Sequence, residues 1–427
     1  MEATEAITWI HKQLPFGIKP GLTRINMLLD ELGNPQHQIK TIHVAGTNGK
    51  GSTTSFLSHI LREDGYDVGT FTSPYIETFN ERISLNHQPI SDGDLVHLVE
   101  RIKPLCEQIA TTEVGHPTEF EIITAMAYLY FKEKEVDYAV IEVGLGGRLD
   151  STNVIHPILS IITSIGYDHI DILGSSLADI AFEKAGIIKS NTPVITGVSQ
   201  QEAINVIDQN VQSNGADVLK LDQDFNAEAK TSDHLVEVFD FANHYISLKD
   251  LKIQLLGSHQ INNASVAIEA YLQLLKVENR HVDSDIIRSG LKKTRWPGRF
   301  EVVRHNPDVI LDGAHNVEAI QSLIDTINQK YDKNNVYILC SFLKTKPVDQ
   351  MMSLFSEQFS QIFLTTFDFN NNYEYYELKE KYENGKTIII EDWEVAYKQL
   401  INQMESSDAL VITGSLYFVS EVKRTMF

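Results

Sequence analysis

The sequence has little cysteine. Its 427 residues include two, Cys106 and Cys340. Two cysteines are too few for a disulfide framework or a cysteine-based zinc site, and this scarcity favours a reducing compartment.

Signal-peptide and membrane-span patterns are also lacking. The N-terminal segment MEATEAITWI carries glutamates and no basic residue, unlike a secretory signal peptide. The longest apolar runs, such as 158–165, are broken by Ser and Thr and are shorter than the ~18 residues of a membrane span. We therefore expect a cytoplasmic, soluble protein that does not bind membranes.

Positive charge is scarce as well. The chain has 36 Lys and Arg against 58 Asp and Glu, a formal net charge of −22 at pH 7. Non-specific nucleic-acid binding depends on basic side chains that neutralise phosphates, so we exclude a nucleic-acid platform. A small anionic substrate in a locally basic pocket stays compatible with this charge.

Short Val- and Ile-rich runs alternate with helical patterns over most of the chain. This alternation predicts βαβ units around a parallel sheet, and it is interrupted at Trp296-Pro297-Gly298. We predict an α/β protein of two domains. We place their junction near residue 297, with residues 1–295 in the first domain and residues 296–427 in the second.

Three local patterns add detail to this organisation. Thr118 and Glu121 have the spacing of a capping box at the start of a helix. Residues 234–256 alternate in the manner of a hairpin or meander. The Asn- and Tyr-rich segment 368–376 predicts a loop.

A glycine-rich turn separates the first predicted strand and helix, in the segment HVAGTNGKGSTT at residues 43–54. Gly46, Gly49 and Gly51 allow successive backbone N–H groups to converge on phosphate oxygens. The positive N-terminus of the following helix adds to this attraction. The turn therefore predicts a phosphate-binding loop.

The side chains of this turn suit ATP. Lys50 can reach the β- and γ-phosphates, and a hydroxyl from Ser52 or Thr53 can face Mg²⁺. The spacing departs from the standard P-loop, which would need its first glycine at Val44. An ordinary glycine-rich turn is the alternative, but the flanking strand and helix favour an ATP site.

Polar side chains follow four predicted strands at their carboxyl ends, where chemistry collects in doubly wound sheets. These side chains are Ser73, Glu142, His169 and Asp312, the last of which is followed by His315 and Asn316. Mg²⁺ favours hard oxygen ligands, so Ser73 and Glu142 suit it directly and His169 is a softer ligand. Their convergence on one sheet edge predicts a magnesium site.

Each of the three candidate magnesium ligands could instead have a purely structural role. Ser73 could open a turn at the following proline. Glu142 could form a salt bridge with Arg148, and a lone His169 could be a hydrogen-bonded structural residue. The GLGG segment at 144–147 does not predict a binding site for a nicotinamide cofactor. The fingerprint of such a site needs a third glycine near position 149, which is Leu149.

Two basic features complete the set of candidates. Lys184 lies on a predicted helix, where a solvated lysine is the ordinary alternative. The segment 292–304 carries five basic residues against one acid, Glu301. It could supply a positive field for ATP and a polycarboxylate, although a solvated face is the alternative.

Ten segments together resemble folylpolyglutamate synthase and the bifunctional dihydrofolate synthase/folylpolyglutamate synthase, of the Mur-ligase superfamily. They span about residues 14–421 and read LPFGIKPGLTRI, HVAGTNGKGSTT, FTSPYIETFNERI, EVGLGGRLDSTNV, DHIDILG, IAFEKAGIIK, GSHQINNASVA, RWPGRFE, LDGAHN and TGSLYFVSEV. The resemblance implies an ATP-dependent ligase that adds L-glutamate to a reduced folate through an acyl phosphate, and the bifunctional members add dihydropteroate as a second expected substrate. It also implies that residues 1–295 are an N-terminal P-loop-type ATPase domain with a mostly parallel sheet and that residues 296–427 are a Rossmann-like glutamate-ligase domain. By the same resemblance, ATP and folate are expected to bind between the two domains.

The resemblance also implies roles for individual residues. Those expected at ATP are Gly46, Thr47, Asn48, Gly49, Lys50, Gly51, Ser52, Thr53, Asn263, Arg299 and Asp312. Those expected at the folate or glutamate are Phe79, Asn80, Glu81, Arg82 and His315, and the catalytic set is Lys50, Lys184, Asp312 and His315. Ser73 and Glu142 would hold one Mg²⁺, Glu142 and His169 a second, and Lys184 would be carbamylated.

We further expect K⁺ as an additional cofactor and a monomeric state. The departure from the family pattern is small, because Tyr75 stands where His is frequent, and no metal ligand is affected.

Two other functions stay open. A cell-wall Mur ligase acting on a UDP-sugar peptide is disfavoured by the FGIKPGL opening and by the two-domain length. A regulatory P-loop NTPase is disfavoured by the additional polar strand ends and the second α/β domain. Whether dihydropteroate is a substrate also stays open.

Overall fold

The structure is a computed structural model that describes residues 1–13, 21–231 and 235–427. Most of the LPFGIKPG segment and the start of the predicted hairpin lie outside the described residues. Two compact units are present in the rest. The first comprises Met1–Glu228, Phe239–Leu251 and Asn262–Thr294, and the second comprises Ala229–Val238, Lys252–Ile261 and Arg295–Phe427.

The first unit contains an eight-stranded sheet with the strand order β4-β3-β2-β5-β1-β6-β7-β8. Its strands are β1 (Thr41–Ala45), β2 (Val68–Phe71), β3 (Ile83–Leu85), β4 (Gln88–Pro89), β5 (Tyr138–Glu142), β6 (Leu159–Ile162), β7 (Val194–Thr196) and β8 (Val218–Lys220). Neighbours from β2 to β8 pair in parallel, and β3 and β4 are antiparallel additions at one edge. This arrangement confirms the predicted α/β class with a mostly parallel sheet.

Helices connect these strands and continue to residue 293. In chain order they are α1 (Ala3–His11), α2 (Thr23–Glu31), α3 (Lys50–Glu63), α4 (Asp92–Ala110), α5 (Glu119–Glu133), α6 (Ile170–Leu173), α7 (Leu177–Ala185), α8 (Gln201–Ser213), α9 (Ser258–Val277) and α10 (Ser284–Lys293). The predicted capping box is confirmed, because Thr118 N donates to Glu121 Oε2 at 2.7 Å and Glu121 N donates to Thr118 Oγ1 at 3.3 Å. It satisfies two of the backbone groups that a helix start leaves unpaired.

A separate sheet of three strands has the order β11-β10-β9. Its strands are β9 (Phe225–Lys230), β10 (Glu237–Asn243) and β11 (Ser247–Ile253). In the part of the predicted hairpin that is described, β10 and β11 are neighbours joined by three residues. Asn243 Oδ1 accepts from Tyr245 N and Ile246 N in this turn.

The second unit contains a six-stranded sheet with the order β12-β13-β17-β14-β15-β16. The strands are β12 (Glu301–Arg304), β13 (Asp308–Leu311), β14 (Val336–Cys340), β15 (Gln361–Thr366), β16 (Thr387–Asp392) and β17 (Ala409–Thr413). The helices are α11 (Val317–Lys330), α12 (Val348–Gln358), α13 (Tyr375–Tyr382), α14 (Trp393–Gln403) and α15 (Leu416–Met426). The predicted loop at 368–376 is confirmed except for its last two residues, where α13 begins.

Both faces of this sheet are buried. Alternate residues of one strand enter different cores: Ile310 packs with the helices on one face, and Val309 and Leu311 pack with those on the other. A strand covered on both sides must be apolar at every position, and this requirement produces the continuous apolar runs of the sequence. The sequence analysis missed β12, because it is a partly exposed edge strand of mixed composition, antiparallel to β13.

The predicted domain boundary at residue 295 stays a prediction, although the units also change between Thr294 and Arg295. A buried salt bridge explains why residues 229–238 group with the second unit. Glu237 Oε1 lies 3.0 Å from Lys330 Nζ of α11 and accepts from Gly257 N at 2.9 Å. None of the helices in the described ranges combines the length and apolarity needed to cross a membrane.

Candidate active site

The glycine-rich turn joins β1 to α3 at the carboxyl edge of the first sheet. Gly46 and Gly49 have positive φ angles of 155° and 87°. A Cβ atom at Gly46 would collide with Thr163 Oγ1, and one at Gly49 would collide with Asn263 Oδ1. Glycine therefore fits both positions, because it tolerates the positive φ angle and has no Cβ atom to collide with its neighbours. The turn also lies directly against Asn263, another residue expected at ATP.

Two polar residues after β6 hold this turn in place. Ser164 O accepts from Thr47 N at 2.9 Å, and Ser164 Oγ accepts from Asn48 N at 3.0 Å. Thr163 Oγ1 donates to Asn48 O at 2.6 Å. The sequence analysis missed Thr163 and Ser164, although they obey the same strand-end rule that identified Ser73.

The first turn of α3 supplies further groups for an anion. The N–H groups at the start of a helix have no partner within it and carry the positive end of its dipole. Here they belong to Lys50, Gly51 and Ser52. The buried Thr53 Oγ1 lacks a hydrogen-bond partner among the described residues. An orphaned buried hydroxyl at this position fits a site that a bound phosphate or metal ion completes.

Lys50 and Lys184 donate to the same backbone carbonyl. Lys50 Nζ lies 3.0 Å from Gly46 O and 3.3 Å from Thr47 O. Lys184 Nζ, from α7, lies 2.9 Å from Gly46 O. Lys184 is 4% exposed, which rules out the solvated helix lysine considered as its alternative. The structure thus brings both lysines to the phosphate loop.

The environment of Lys184 makes its amine unusually easy to deprotonate. Burial and, to a smaller extent, the charge of Lys50 lower the pKa of Lys184 to about 7, whereas Asp168 and Asp150 oppose the shift. Because desolvation disfavours the charged ammonium, much of the amine is neutral at neutral pH.

Ser73 and Glu142 follow the neighbouring parallel strands β2 and β5. Ser73 N donates to Glu142 Oε2 at 3.4 Å, and Glu142 is 5% exposed. Arg148, the alternative partner of Glu142, forms a salt bridge with Glu183 at 2.8 Å. A buried carboxylate beside a serine is a donor set of hard oxygens that fits Mg²⁺.

His169 occupies a more open position. It precedes α6 with a φ of 51°, 45% of its side chain is exposed, and its Nε2 lies 3.9 Å from Asp168 Oδ1. Within the described ranges, no three His, Cys, Asp or Glu side chains are grouped so as to hold a metal ion. The metal-binding role of His169 therefore stays a prediction.

Asp150 organises the turn after Glu142, and the sequence analysis missed this residue. Its carboxylate accepts from Leu145 N at 2.8 Å and from Thr152 N at 2.9 Å. Asp150 is 6% exposed, and burial raises the pKa of its carboxyl group. The signal that could have found it is an acid at the end of a glycine-rich turn, where backbone N–H groups need an acceptor.

The predicted substrate segment Phe79–Arg82 forms a 3₁₀ turn before β3. Phe79 is 6% exposed, and its ring contacts those of His11 and Tyr75. The side chain at the start of this segment therefore packs inside the first unit.

In the second unit, Asp312 follows β13 and braces two turns. Asp312 Oδ2 accepts from Phe300 N and Oδ1 accepts from Ala314 N, both at 2.9 Å. Burial raises the pKa of Asp312, and the charge of Arg299 opposes that shift. The structure thus places Asp312 near Arg299.

Arg299 and His315 both lie close to Gly313. A Cβ atom at Gly313 would collide with Arg299 Nη1, and His315 Nδ1 lies 2.8 Å from Gly313 O. Because a carbonyl can only accept, Nδ1 carries the proton, and Nε2 of the neutral ring is an acceptor. Asp312, Arg299 and His315 form one polar group in this unit.

A further ion pair that the sequence analysis missed supports the turn bearing Arg299. Glu301 Oε2 accepts from Gly298 N at 2.8 Å, and Glu301 Oε1 accepts from Lys423 Nζ of α15 at 2.7 Å. Within the basic segment, Lys293 forms a salt bridge with Glu63 at 2.7 Å. No periodic pattern connects residues 301 and 423, so this pair was not detectable from sequence.

Two family models match the chain: Mur ligase middle domain at residues 94–271, and Mur ligase, glutamate ligase domain at residues 298–416. With the phosphate loop at the sheet edge, they define a Mur-type ligase. Over 426 residues the chain is 43% identical to dihydrofolate synthase/folylpolyglutamate synthase of Bacillus subtilis. The alignment covers 99% of this chain and 98% of that relative. The chain belongs to the dihydrofolate synthase/folylpolyglutamate synthase family.

Solved structures agree with this assignment. An FPGS–AMPPCP–folate complex matches with a TM-score of 0.89 and 34% identity over 100% of both chains. Mycobacterium tuberculosis folylpolyglutamate synthase complexed with ADP and AMPPCP matches with a TM-score of 0.90 and 29% identity, over 99% of this chain and 97% of that one. The family resemblance and the fold class expected from the sequence are confirmed.

Proposed function

We propose that this protein is an ATP-dependent amide ligase that adds L-glutamate to the carboxylate of a reduced folate, and also to dihydropteroate. The observation that carries the proposal is the 43% identity to the Bacillus subtilis enzyme over nearly the whole of both chains. The geometry of the phosphate loop, with Lys50 and Lys184 at one carbonyl, supports it independently.

The first chemical step is transfer of the γ-phosphoryl group of ATP to the folate carboxylate. A carboxylate oxygen attacks the γ-phosphorus, the bond to the β-phosphate oxygen breaks, and an acyl phosphate and ADP result. We assign the phosphates to residues 46–53, because phosphoryl transfer depends on positioning and charge stabilisation. Lys50 would leave the loop carbonyls for the β- and γ-phosphates.

In the second step the α-amine of glutamate attacks the acyl carbon. Phosphate leaves with the electrons of the acyl C–O bond, and the amine loses a proton. This step requires alignment more than covalent catalysis. We assign Arg299, Asp312 and His315 to the nucleotide and glutamate. In the neutral tautomer that donates from Nδ1 to Gly313 O, Nε2 of His315 suits acceptance of an amine proton, and Arg299 suits an anionic phosphate or carboxylate.

We further propose Mg²⁺ at Ser73 and Glu142, and a second ion at Glu142 and His169. When bound, Mg²⁺ stabilises charge on the phosphate oxygens. Support comes from the contact between Ser73 N and Glu142 Oε2 and from the orphaned hydroxyl of Thr53.

Carbamylation of Lys184 is part of the same proposal. The ammonium first loses a proton. The neutral amine then attacks carbon dioxide, an N–C bond forms while the electrons of one C=O bond move to its oxygen, and a second proton is released, so that a cation becomes an anion. The lowered pKa of Lys184 supports this step, because only the neutral amine is nucleophilic. K⁺ binding, a monomeric state and a cytoplasmic location stay predictions.

A product assay tests the proposed function. The purified protein receives ATP and glutamate with either a reduced folate or dihydropteroate, and glutamylated product is detected by mass spectrometry. We expect glutamate-dependent product with the reduced folate and, separately, with dihydropteroate, and no product from the Lys50→Ala variant.

The alternatives give other results in this assay. A regulatory NTPase would hydrolyse ATP at full rate without glutamate. A cell-wall ligase would form product only with a UDP-sugar peptide. Normal product formation by Lys50→Ala would contradict the assignment of the phosphate loop.

A further inference from the structure

Residues 72–82 form a loop whose two ends are joined. The chain leaves β2, passes Ser73, and returns at the start of β3. Thr72 N donates to Arg82 O at 3.0 Å, which closes the base of the loop. The loop therefore begins beside Glu142, at the sheet edge that carries the phosphate site.

The carboxylate of Glu81 binds three consecutive backbone N–H groups across this loop. Ile76 N donates to Glu81 Oε2 at 3.0 Å. Glu77 N donates to Oε1 at 3.1 Å and to Oε2 at 3.3 Å. Thr78 N donates to Oε1 at 2.7 Å. Hydrogen bonds to an ionised acceptor are stronger than neutral ones, so one side chain holds the outer part of the loop.

The residues on either side of Glu81 hold the loop to the rest of the unit. Asn80 Nδ2 donates to Ile90 O at 2.7 Å and to Asp92 Oδ1 at 3.0 Å. Arg82 Nη2 lies 3.7 Å from Glu119 Oε1.

The Arg82 guanidinium also contacts two aromatic rings of the loop. Its carbon lies 5.3 Å from the ring centre of Tyr75 and 5.5 Å from that of Phe79. Cations at these distances attract the faces of aromatic rings. The side chains at 79–82 are thus directed into the loop and its supports.

We infer that Glu81 is a positioning residue that preforms the loop of residues 72–82, and not a ligand of the folate, although the family resemblance places residues 79–82 of this loop at the folate or glutamate. The inference rests on the proposed function for the identity of the substrate. A loop already ordered before binding loses less conformational entropy when it receives its substrate. Without the carboxylate, three adjacent N–H groups lose their acceptor, and substrate binding must then order the loop.

The test compares Glu81→Gln with wild type in the full-length protein. Gln has nearly the shape of Glu but lacks the charge and replaces one acceptor oxygen with a donor NH₂. We expect KM for the reduced folate to rise about tenfold, while kcat and KM for ATP stay within about twofold. Glu113→Gln removes the same charge from an exposed loop of the same unit and should match wild type.

Hydrogen exchange separates positioning from direct contact. In Glu81→Gln without substrate, the amides of Ile76, Glu77 and Thr78 should exchange about tenfold faster or more, with the amides of β5 unchanged. A raised KM with unchanged exchange would mean that Glu81 contacts the substrate and would overturn the inference. Faster exchange with unchanged KM would also overturn it, as would an equal rise in KM for ATP.

A second variant covers the case in which Glu81→Gln does not fold. Glu81→Asp keeps the charge on a shorter side chain, so its exchange rates at residues 76–78 and its folate KM should both exceed those of wild type. Wild-type values for these two variants would contradict the inference. Absence of folate ligation by wild type would instead contradict the proposed function. The exchange measurement would still test whether Glu81 orders the loop.

Discussion

At the scale of single residues, the least expected environment is that of Lys184. A lysine ammonium is normally solvated, because removing it from water costs several kcal/mol. Here it is buried beside a second ammonium, that of Lys50, and both donate to Gly46 O. Such a position is unfavourable for stability at neutral pH. An unfavourable charged group at a phosphate loop is typical of a functional site.

The lowered pKa of Lys184 predicts how stability depends on pH. Between about pH 7 and the ordinary lysine pKa of 10.5 the unfolded chain binds a proton at this position and the folded chain does not. The titration of Lys184 therefore makes the free energy of unfolding increase as pH rises through that window, by at most about 1.4 kcal/mol per pH unit. Below pH 7 both states are protonated and the cost of burial is constant.

Lys184→Met should remove this contribution. Denaturant unfolding of wild type and Lys184→Met, in carbon dioxide-free buffer between pH 6 and pH 10, measures it. We expect the difference in free energy of unfolding to favour the variant most at pH 6 and to shrink as pH rises above 7 toward pH 10. Parallel pH profiles would contradict the lowered pKa.

At the scale of elements, the C-terminal helix α15 supports a turn that lies far from it in sequence. Lys423 on α15 holds Glu301, which in turn accepts the N–H of Gly298, beside Arg299. The pair is partly buried, with 12% of the Lys423 side chain and 28% of the Glu301 side chain exposed. A hydrogen-bonded ion pair in such a site contributes more than one at the surface.

We therefore expect Lys423→Met to weaken nucleotide binding and stability together. The free energy of unfolding should fall by about 1 to 3 kcal/mol, and KM for ATP should rise because the turn bearing Arg299 is less well held. Lys398→Met is the matched control, because Lys398 pairs with Glu394 on an exposed face of α14. Equal effects of the two variants would show that the position of Lys423 is unimportant.

At the scale of the whole molecule, the repeating α/β pattern and most strand positions were predictable from sequence. Strands buried on both faces need continuous apolar runs, and these runs are visible in the sequence. The glycine-rich turn at 46–51 was also recognisable, because glycines at this spacing between a strand and a helix indicate phosphate binding. The partners of Glu81, Asp150 and Glu301 were not predictable. They are backbone N–H groups in irregular turns, or side chains distant in sequence. A periodic sequence pattern indicates helices and strands but does not indicate either kind of partner. The same limit hid the grouping of 229–238 with the second unit.

Nucleotide binding should stabilise the folded chain as a whole. A ligand that binds only the folded state at a hundred times its Kd adds about 2.7 kcal/mol to the free energy of unfolding. We expect AMPPCP with Mg²⁺ to raise Tm in thermal unfolding, with a smaller rise after chelation of the metal. Lys50→Ala should show little change with nucleotide. A full rise in that variant would place the nucleotide elsewhere.

The shared carbonyl of Gly46 also links proton and anion binding. Two ammonium groups that converge on one oxygen repel each other, and a triphosphate bound at the proposed site would add negative charge beside both. Its charge favours the protonated form of Lys184, so the complex takes up part of a proton near pH 7. By linkage, protonation of Lys184 strengthens nucleotide affinity by the same factor. The proposed carbamylation would reverse the sign of the charge at Lys184, and of these two lysines Lys50 alone would then carry positive charge.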